Sequence, residues 1–134
     1  MSSLLPTIPG LLPWWQLIVS ITATLNSAQA YTGTHATARV YSNDTNKEVT
    51  RLQARTFGTW TFLSAIIRFY GAYYLNDPHV YDLTLASYLV AFGHFMSEFL
   101  IFKTVKLSGP SIAPMIVSTS SIIWMVLQRD WYLS

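Results

Sequence analysis

There is no cysteine among the 134 residues. That excludes disulfides and thiolate metal sites, and it leaves the redox compartment unspecified. Charge is scarce too: Asp, Glu, Lys and Arg make up 10% of the chain, against about a quarter in soluble domains, so water cannot be the main solvent of this surface. The net charge of +2 is small and spread out, whereas nucleic-acid binding would call for a basic stripe. His35, His79 and His94 are scattered without HxxH or HxxxH spacing, which excludes a membrane di-iron oxygenase and offers no metal site. No glycine-rich phosphate loop, nucleophile elbow or P-loop occurs, so no cofactor is expected.

What is present is apolar. Hydrophobic residues make up 51% of the chain and the mean hydropathy is +0.34. Four apolar stretches stand out, at about 14–30, 57–75, 83–102 and 112–128. A spanning helix needs about 20 residues, with roughly 17 as a workable minimum. The second and third meet that; the first is marginal, and the fourth needs Gln128, Trp131 and Tyr132 to reach an interface. The expected fold is all-α: one domain over 1–134, a polytopic membrane protein with four transmembrane helices in a small bundle. A soluble helical bundle fits this composition poorly. Ala28-Gln29-Ala30 resembles a signal-peptidase site, but residues 1–13 hold no Lys or Arg and three prolines, which favours a retained helix.

The connections are unequal. Residues 32–54 form a polar loop in which Thr45 and Glu48 have capping-box spacing, so a helix is expected from near Asn46 into the second span. Residues 76–81 make a tight turn in which Pro78 stops one helix and leads to the next. Gly109 and Pro110 are expected to end the third. With four spans, Arg39, Lys47, Arg51, Arg55, Lys103 and Lys106 share one side, and Arg129 lies on the other. The positive-inside rule then makes the 32–54 loop cytosolic and both termini lumenal. Trp14, Trp15, Tyr73, Tyr74, Tyr81, Trp131 and Tyr132 would belt the lumenal interface, and the sequon at Asn43 would stay bare.

Inside the spans, small residues recur at spacings of three and four. Gly58, Thr61, Ser64, Ala65, Gly71 and Ala72 form a helix-packing stripe on the second span, and Arg68 lies on that stripe. The third span carries Ser87, Ala91, His94 and Glu98 on one face. Charges at mid-membrane cost at least about 2.5 kcal/mol each on insertion scales, so they are seldom accidental. Folding the chain at the 76–81 turn suggests an intramembrane polar clasp of Arg68 with His94 or Glu98 that fixes helix packing. A proton relay or catalytic acid is the alternative. Hydroxyls of the 118–121 run are expected to bond their own helix or a neighbour.

"LQARTFGTWTF", "IRFYGAYYLNDPHVYDL", "AFGHFMSEFLIF" and "GPSIAPMIVSTSSIIWM", in this order, resemble the ergosterol biosynthetic protein 28 family, with the resemblance running from about Leu12 to Tyr132. The resemblance implies a non-catalytic scaffold of the endoplasmic reticulum membrane with no catalytic residue of its own. Its implied partners are a sterol C-4 methyl oxidase, a 3β-hydroxysteroid dehydrogenase that acts as C-4 decarboxylase, a 3-keto sterol reductase and a sterol C-24 methyltransferase. Membrane lipid or sterol, and a second copy in a homo-oligomer, complete the expected contacts. Two other classes stay open on the residues alone: a small isomerase-like sterol enzyme using His94 or Glu98, and a small transporter or channel subunit.

Overall fold

The computed structural model describes residues 5–107 and 109–134, and every regular element among them is helical. Four long helices, α1 (Leu12–Tyr31), α3 (Arg51–Tyr73), α4 (Pro78–Leu100) and α5 (Ile112–Leu133), are joined by one short helix, α2 (His35–Val40), and by a 3-10 turn at Gly109–Ser111. By length and composition, α4 and α5 are apolar enough to cross a membrane. The all-α class expected from the sequence is present.

The helix starts follow local chemistry. Pro13 occupies the first turn of α1, where its missing N–H costs nothing. Asp77 caps α4, its carboxylate accepting from the N–H of His79 at 2.8 Å, with Pro78 in the first turn. Thr50 caps α3, accepting from the N–H of Gln53. The expected start near Asn46 is therefore wrong. The Asp44 carboxylate instead takes the N–H groups of Glu48 and Val49, and Lys47 sits at φ 54, a left-handed conformation that no helix accommodates. Nor do Gly109 and Pro110 end the third apolar helix. It stops at Leu100; Lys103 at φ 59 turns the chain, and Gly109 opens the approach to α5.

Contacts fix an up-down arrangement. The start of α1 meets the end of α5, where the Leu12 N–H donates to the Tyr132 hydroxyl at 3.2 Å. The end of α1 packs on the start of α3 at Gly58, where an added Cβ would stand 3.0 Å from the Ser27 carbonyl oxygen. Near the α3–α4 turn, Gly71 faces Thr84, and a Cβ there would be 2.6 Å from the threonine hydroxyl. The small-residue stripe thus lies in the packing interfaces. Gly58, Ser64, Ala65, Gly71 and Ala72 are buried and Thr61 is half-buried. One end of the bundle gathers both chain termini and the α3–α4 turn. The other holds α2, the 41–50 segment and the α4–α5 connection.

Candidate functional site

Arg68 is the buried charge around which the interior is organised, with 7% of its surface exposed. It comes from α3, on the stripe that faces the other helices. Its Nε donates to Ser87 Oγ at 3.1 Å and one terminal nitrogen donates to the Ser87 carbonyl at 3.3 Å. The guanidinium carbon lies 4.1 Å from the centre of the Tyr88 ring, a cation–π contact that a dry interior strengthens. Ser87 in turn donates to the Thr84 carbonyl at 2.6 Å.

His94 and Glu98 are elsewhere. His94 Nε2 shares a 2.7 Å hydrogen bond with the Tyr41 hydroxyl, and its ring packs edge-on to Tyr41 and Trp60. Glu98 Oε1 accepts from the Thr104 hydroxyl at 2.7 Å, beside the end of its own helix. Among the described residues the ion pair is Arg129 with Asp82, on the exposed surface, so the expected clasp of Arg68 with His94 or Glu98 is not formed. The reason is register. The two helices pair in a register that sets Gly71 against Thr84 and Arg68 against Ser87. His94 lies two turns further along α4, beyond the reach of the arginine.

Tyr88, next to Ser87, carries the network onward. Its hydroxyl donates to Gln16 Oε1 at 2.5 Å, and Gln16 Nε2 reaches Met125 Sδ at 3.5 Å. Trp15 Nε1 donates to Ser121 Oγ at 2.8 Å and the Tyr81 hydroxyl to the Met125 carbonyl at 2.6 Å. One network thereby joins α1, α4 and α5 to one another near the terminal end, and α3 enters it through Arg68 and Ser87. Ser118 bonds back to its own helix and Ser121 to α1, as expected for the 118–121 hydroxyls. Gln16 and Tyr88 were not evident as interior groups in the sequence, since neither breaks an apolar run with a charge.

Toward the other end a cavity of about 510 Å³ opens between the helices. It is lined by Arg68 and Tyr88, by Trp60 and Phe95, by the buried Thr37 of α2 and by the exposed Ala113 of α5. The segment closing this end is tied down firmly. Asn43 donates its side-chain amide to the Lys103 carbonyl at 2.6 Å, and Ser42 donates to Ser111 Oγ at 3.0 Å. Tyr41 is buried against Phe57 and Phe95, and that burial, with the Glu98 carboxylate second, pushes its phenol well above the usual range. No group of three His, Asp or Glu side chains able to hold a metal exists among the described residues.

Known proteins match along nearly the whole chain. Residues 12–123 match the family model described as Erg28 like protein. The "Ergosterol biosynthetic protein 28" of Saccharomyces cerevisiae is 52% identical over 124 residues, covering 92% of this chain and 83% of the yeast one. Its namesake in Candida albicans is 47% identical, covering 98% and 96%. The mouse "Ergosterol biosynthetic protein 28 homolog" is 38% identical, covering 84% and 81%. No solved structure matches the chain. With a model match and identities of this extent across fungi and animals, the chain belongs to the Erg28-like family.

Proposed function

We propose that this chain is a non-catalytic scaffold of sterol biosynthesis in the endoplasmic reticulum membrane, crossing it four times with both termini lumenal. The observation that carries the non-catalytic part is the separation of Arg68, His94 and Glu98. Each is bonded to a different structural partner, where acid–base chemistry or a relay would need them to converge. The names of the relatives support the pathway. Four spans are supported by α1 and α3, which at 20 and 23 residues are long enough to cross and turn apolar side chains outward: Ile18, Ile21 and Leu25 from α1, and Phe62, Leu63 and Phe69 from α3. Arg51 and Arg55 in the first turns of α3, with Arg68, lower its mean hydropathy.

The partners are the methyl oxidase, the decarboxylating dehydrogenase and the keto reductase of sterol C-4 demethylation, with the C-24 methyltransferase as a further one. A scaffold raises the effective concentration of one enzyme beside the next and leaves each chemically competent. Deleting the gene should therefore lower the end-product sterol without abolishing it, and fusing the oxidase directly to the dehydrogenase should restore part of the flux. A complete block at one precursor that fusion cannot relieve would mark an enzyme instead. So would loss of flux in His94→Ala or Glu98→Ala while protein level and assembly stayed intact. For orientation, a sequon placed on a tail after Ser134 should be glycosylated and Asn43 should not. The reverse pattern would invert the topology.

A further inference from the structure

We infer that the bundle cavity is a binding site for an apolar molecule carrying a single carboxylate, held with the carboxylate on Arg68. The inference goes beyond the scaffold reading and does not depend on it. Three observations converge. The first is charge. A guanidinium has five N–H donors; Ser87 takes two of them, and among the described residues no carboxylate pairs with Arg68. A buried cation without a counter-ion is costly, and a carboxylate is the group whose geometry matches the guanidinium fork.

The second is shape. The cavity, about 510 Å³, falls in the range of sites that enclose a small molecule. From Arg68 to Phe57, both of which line it, eleven residues of α3 rise roughly 16 Å. Its wall between those points is mainly apolar, with Trp60, Phe95 and Ala91, and carries the hydroxyls of Thr61 and Ser64. An elongated hydrocarbon body fits such a wall, and a compact polar metabolite does not.

The third is unpaired polarity. Thr37 Oγ1 and Thr61 Oγ1 are buried, both residues line the cavity, and neither oxygen has a hydrogen-bond partner in the structure. Thr37 is 1% exposed, so water at the surface cannot serve it. Buried hydroxyls are normally bonded, and a pair left open along one cavity marks where a ligand's own polar atom or a carried water belongs. Among its lining residues Thr22 and Asn26 of α1 and Ala113 of α5 are exposed, which puts an opening between those two helices. These helices are bonded to each other near the opposite, terminal end. A ligand from a bilayer would enter sideways between them.

Two kinds of molecule share this chemistry, a fatty acid and a sterol-type acid. The full chain in lipid nanodiscs is titrated with oleate, with cholenate, and with the methyl ester of each, and bound ligand is counted by native mass spectrometry. One charge-assisted bond to the guanidinium predicts that an acid binds roughly ten-fold or more tightly than its ester. Whichever acid shows that preference identifies the source. Arg68→Gln should bring acid and ester to within about two-fold, and Arg68→Lys should keep part of the preference by keeping a cation. Ala113→Phe, at an exposed position beside the mouth, should weaken acid and ester together, and it keeps the test open should the Arg68 variants fail to fold. Equal binding of acid and ester to the unaltered chain, binding of neither, or an acid preference that survives Arg68→Gln would each overturn the inference. None of these results bears on whether the enzymes co-purify, so the scaffold reading is tested separately.

Discussion

The two ends of the bundle are built differently. At the terminal end, the long helices hold one another directly: Leu12 to Tyr132, Trp15 to Ser121, Gln16 to Tyr88, Tyr81 to Met125. At the opposite end the helices leave a cavity, and closure falls to α2 and the 41–50 segment, through Tyr41, Ser42 and Asn43. Each of these bonds uses a hydroxyl, as donor or as acceptor, to join one helix to another at the terminal end. At the other end a loop stoppers a space that the helices do not fill. The difference separates a part whose job is to be rigid from a part with room to receive something.

That contrast can be broken most sharply at Gly71. Gly71→Val would drive a branched side chain into Thr84, whose hydroxyl already lies 2.6 Å from where the Cβ would be. Overpacking of this kind costs about 3 kcal/mol. The folded fraction in detergent, read by size-exclusion and thermal midpoint, should fall steeply. Ala113→Phe at the cavity mouth should leave the midpoint close to the unaltered chain. Equal damage from both would remove the distinction between the ends.

Tyr88→Phe comes next. It removes the hydroxyl that serves Gln16 Oε1 inside the bundle, where Gln16 is fully buried. Leaving a buried acceptor short of its donor costs about 1–3 kcal/mol. Tyr88→Phe combined with Gln16→Leu should recover part of that loss in the same melting assay, and a double variant no better than the single one would refute the pairing.

Tyr41→Phe sharpens the comparison from the other side, with an expected cost of about 1 kcal/mol for one hydrogen bond. It also carries a pH signature. The phenol's proton affinity is raised in the folded chain, so as pH climbs above the ordinary tyrosine value of 10.0 the unfolded chain releases this proton first. Stability attached to Tyr41 is therefore complete below that pH and is lost as pH rises beyond it. Between pH 9 and pH 11 the midpoint of the unaltered chain should fall further than that of Tyr41→Phe. Equal falls would mean that Tyr41 is exposed and the stopper loose.

Arg68→Leu should have the smallest effect on stability. Because Arg68 pairs with no carboxylate among the described residues, the change strands no opposite charge, and Ser87 keeps its bond to the Thr84 carbonyl. Loss of two hydrogen bonds is set against relief of a buried cation, which costs about 2.5 kcal/mol or more within a membrane. The net should stay within about 1 kcal/mol, and adding Glu98→Leu should restore nothing. A drop of about 3–5 kcal/mol that Glu98→Leu repairs would reinstate the clasp.

These residues also mark what the sequence makes legible. Gly58, Ser64, Ala65, Gly71 and Ala72 could be read as a packing stripe because helical spacing is a one-dimensional signal, and burial agrees with it. The inward face of Arg68 follows from the same spacing. Its partner does not, because spacing along one helix says nothing about the rotation of the next. Hydrogen-bond donors satisfied by a serine and a backbone carbonyl leave no opposite charge to search for. Counting equal steps from the 74–77 turn sets Arg68 opposite Leu83, one helical turn short of the Ser87 that it bonds. Thr37 and Tyr41 were hidden for another reason. They sit in a polar stretch with no long periodicity, and their burial comes from the chain folding back over the bundle end.

The pairing of α1 with α3 across a loop also has a consequence in time. The tail of α1 lies on Gly58 through Ser27 and Ala30, yet α3 is completed only at Tyr73, about forty residues after α1 ends. At translation rates of about 5–20 residues per second, α1 waits roughly two to eight seconds before the surface it fits exists. During that interval its row of Ser20, Ala23, Ser27 and Ala30, buried in the finished protein, has no mate. The helix made first is thus the one most in need of a custodian during synthesis. Slowing the ribosome between the codons for Tyr31 and Tyr73 should lower the yield of folded chain, whereas the same pause placed after Leu133 should not.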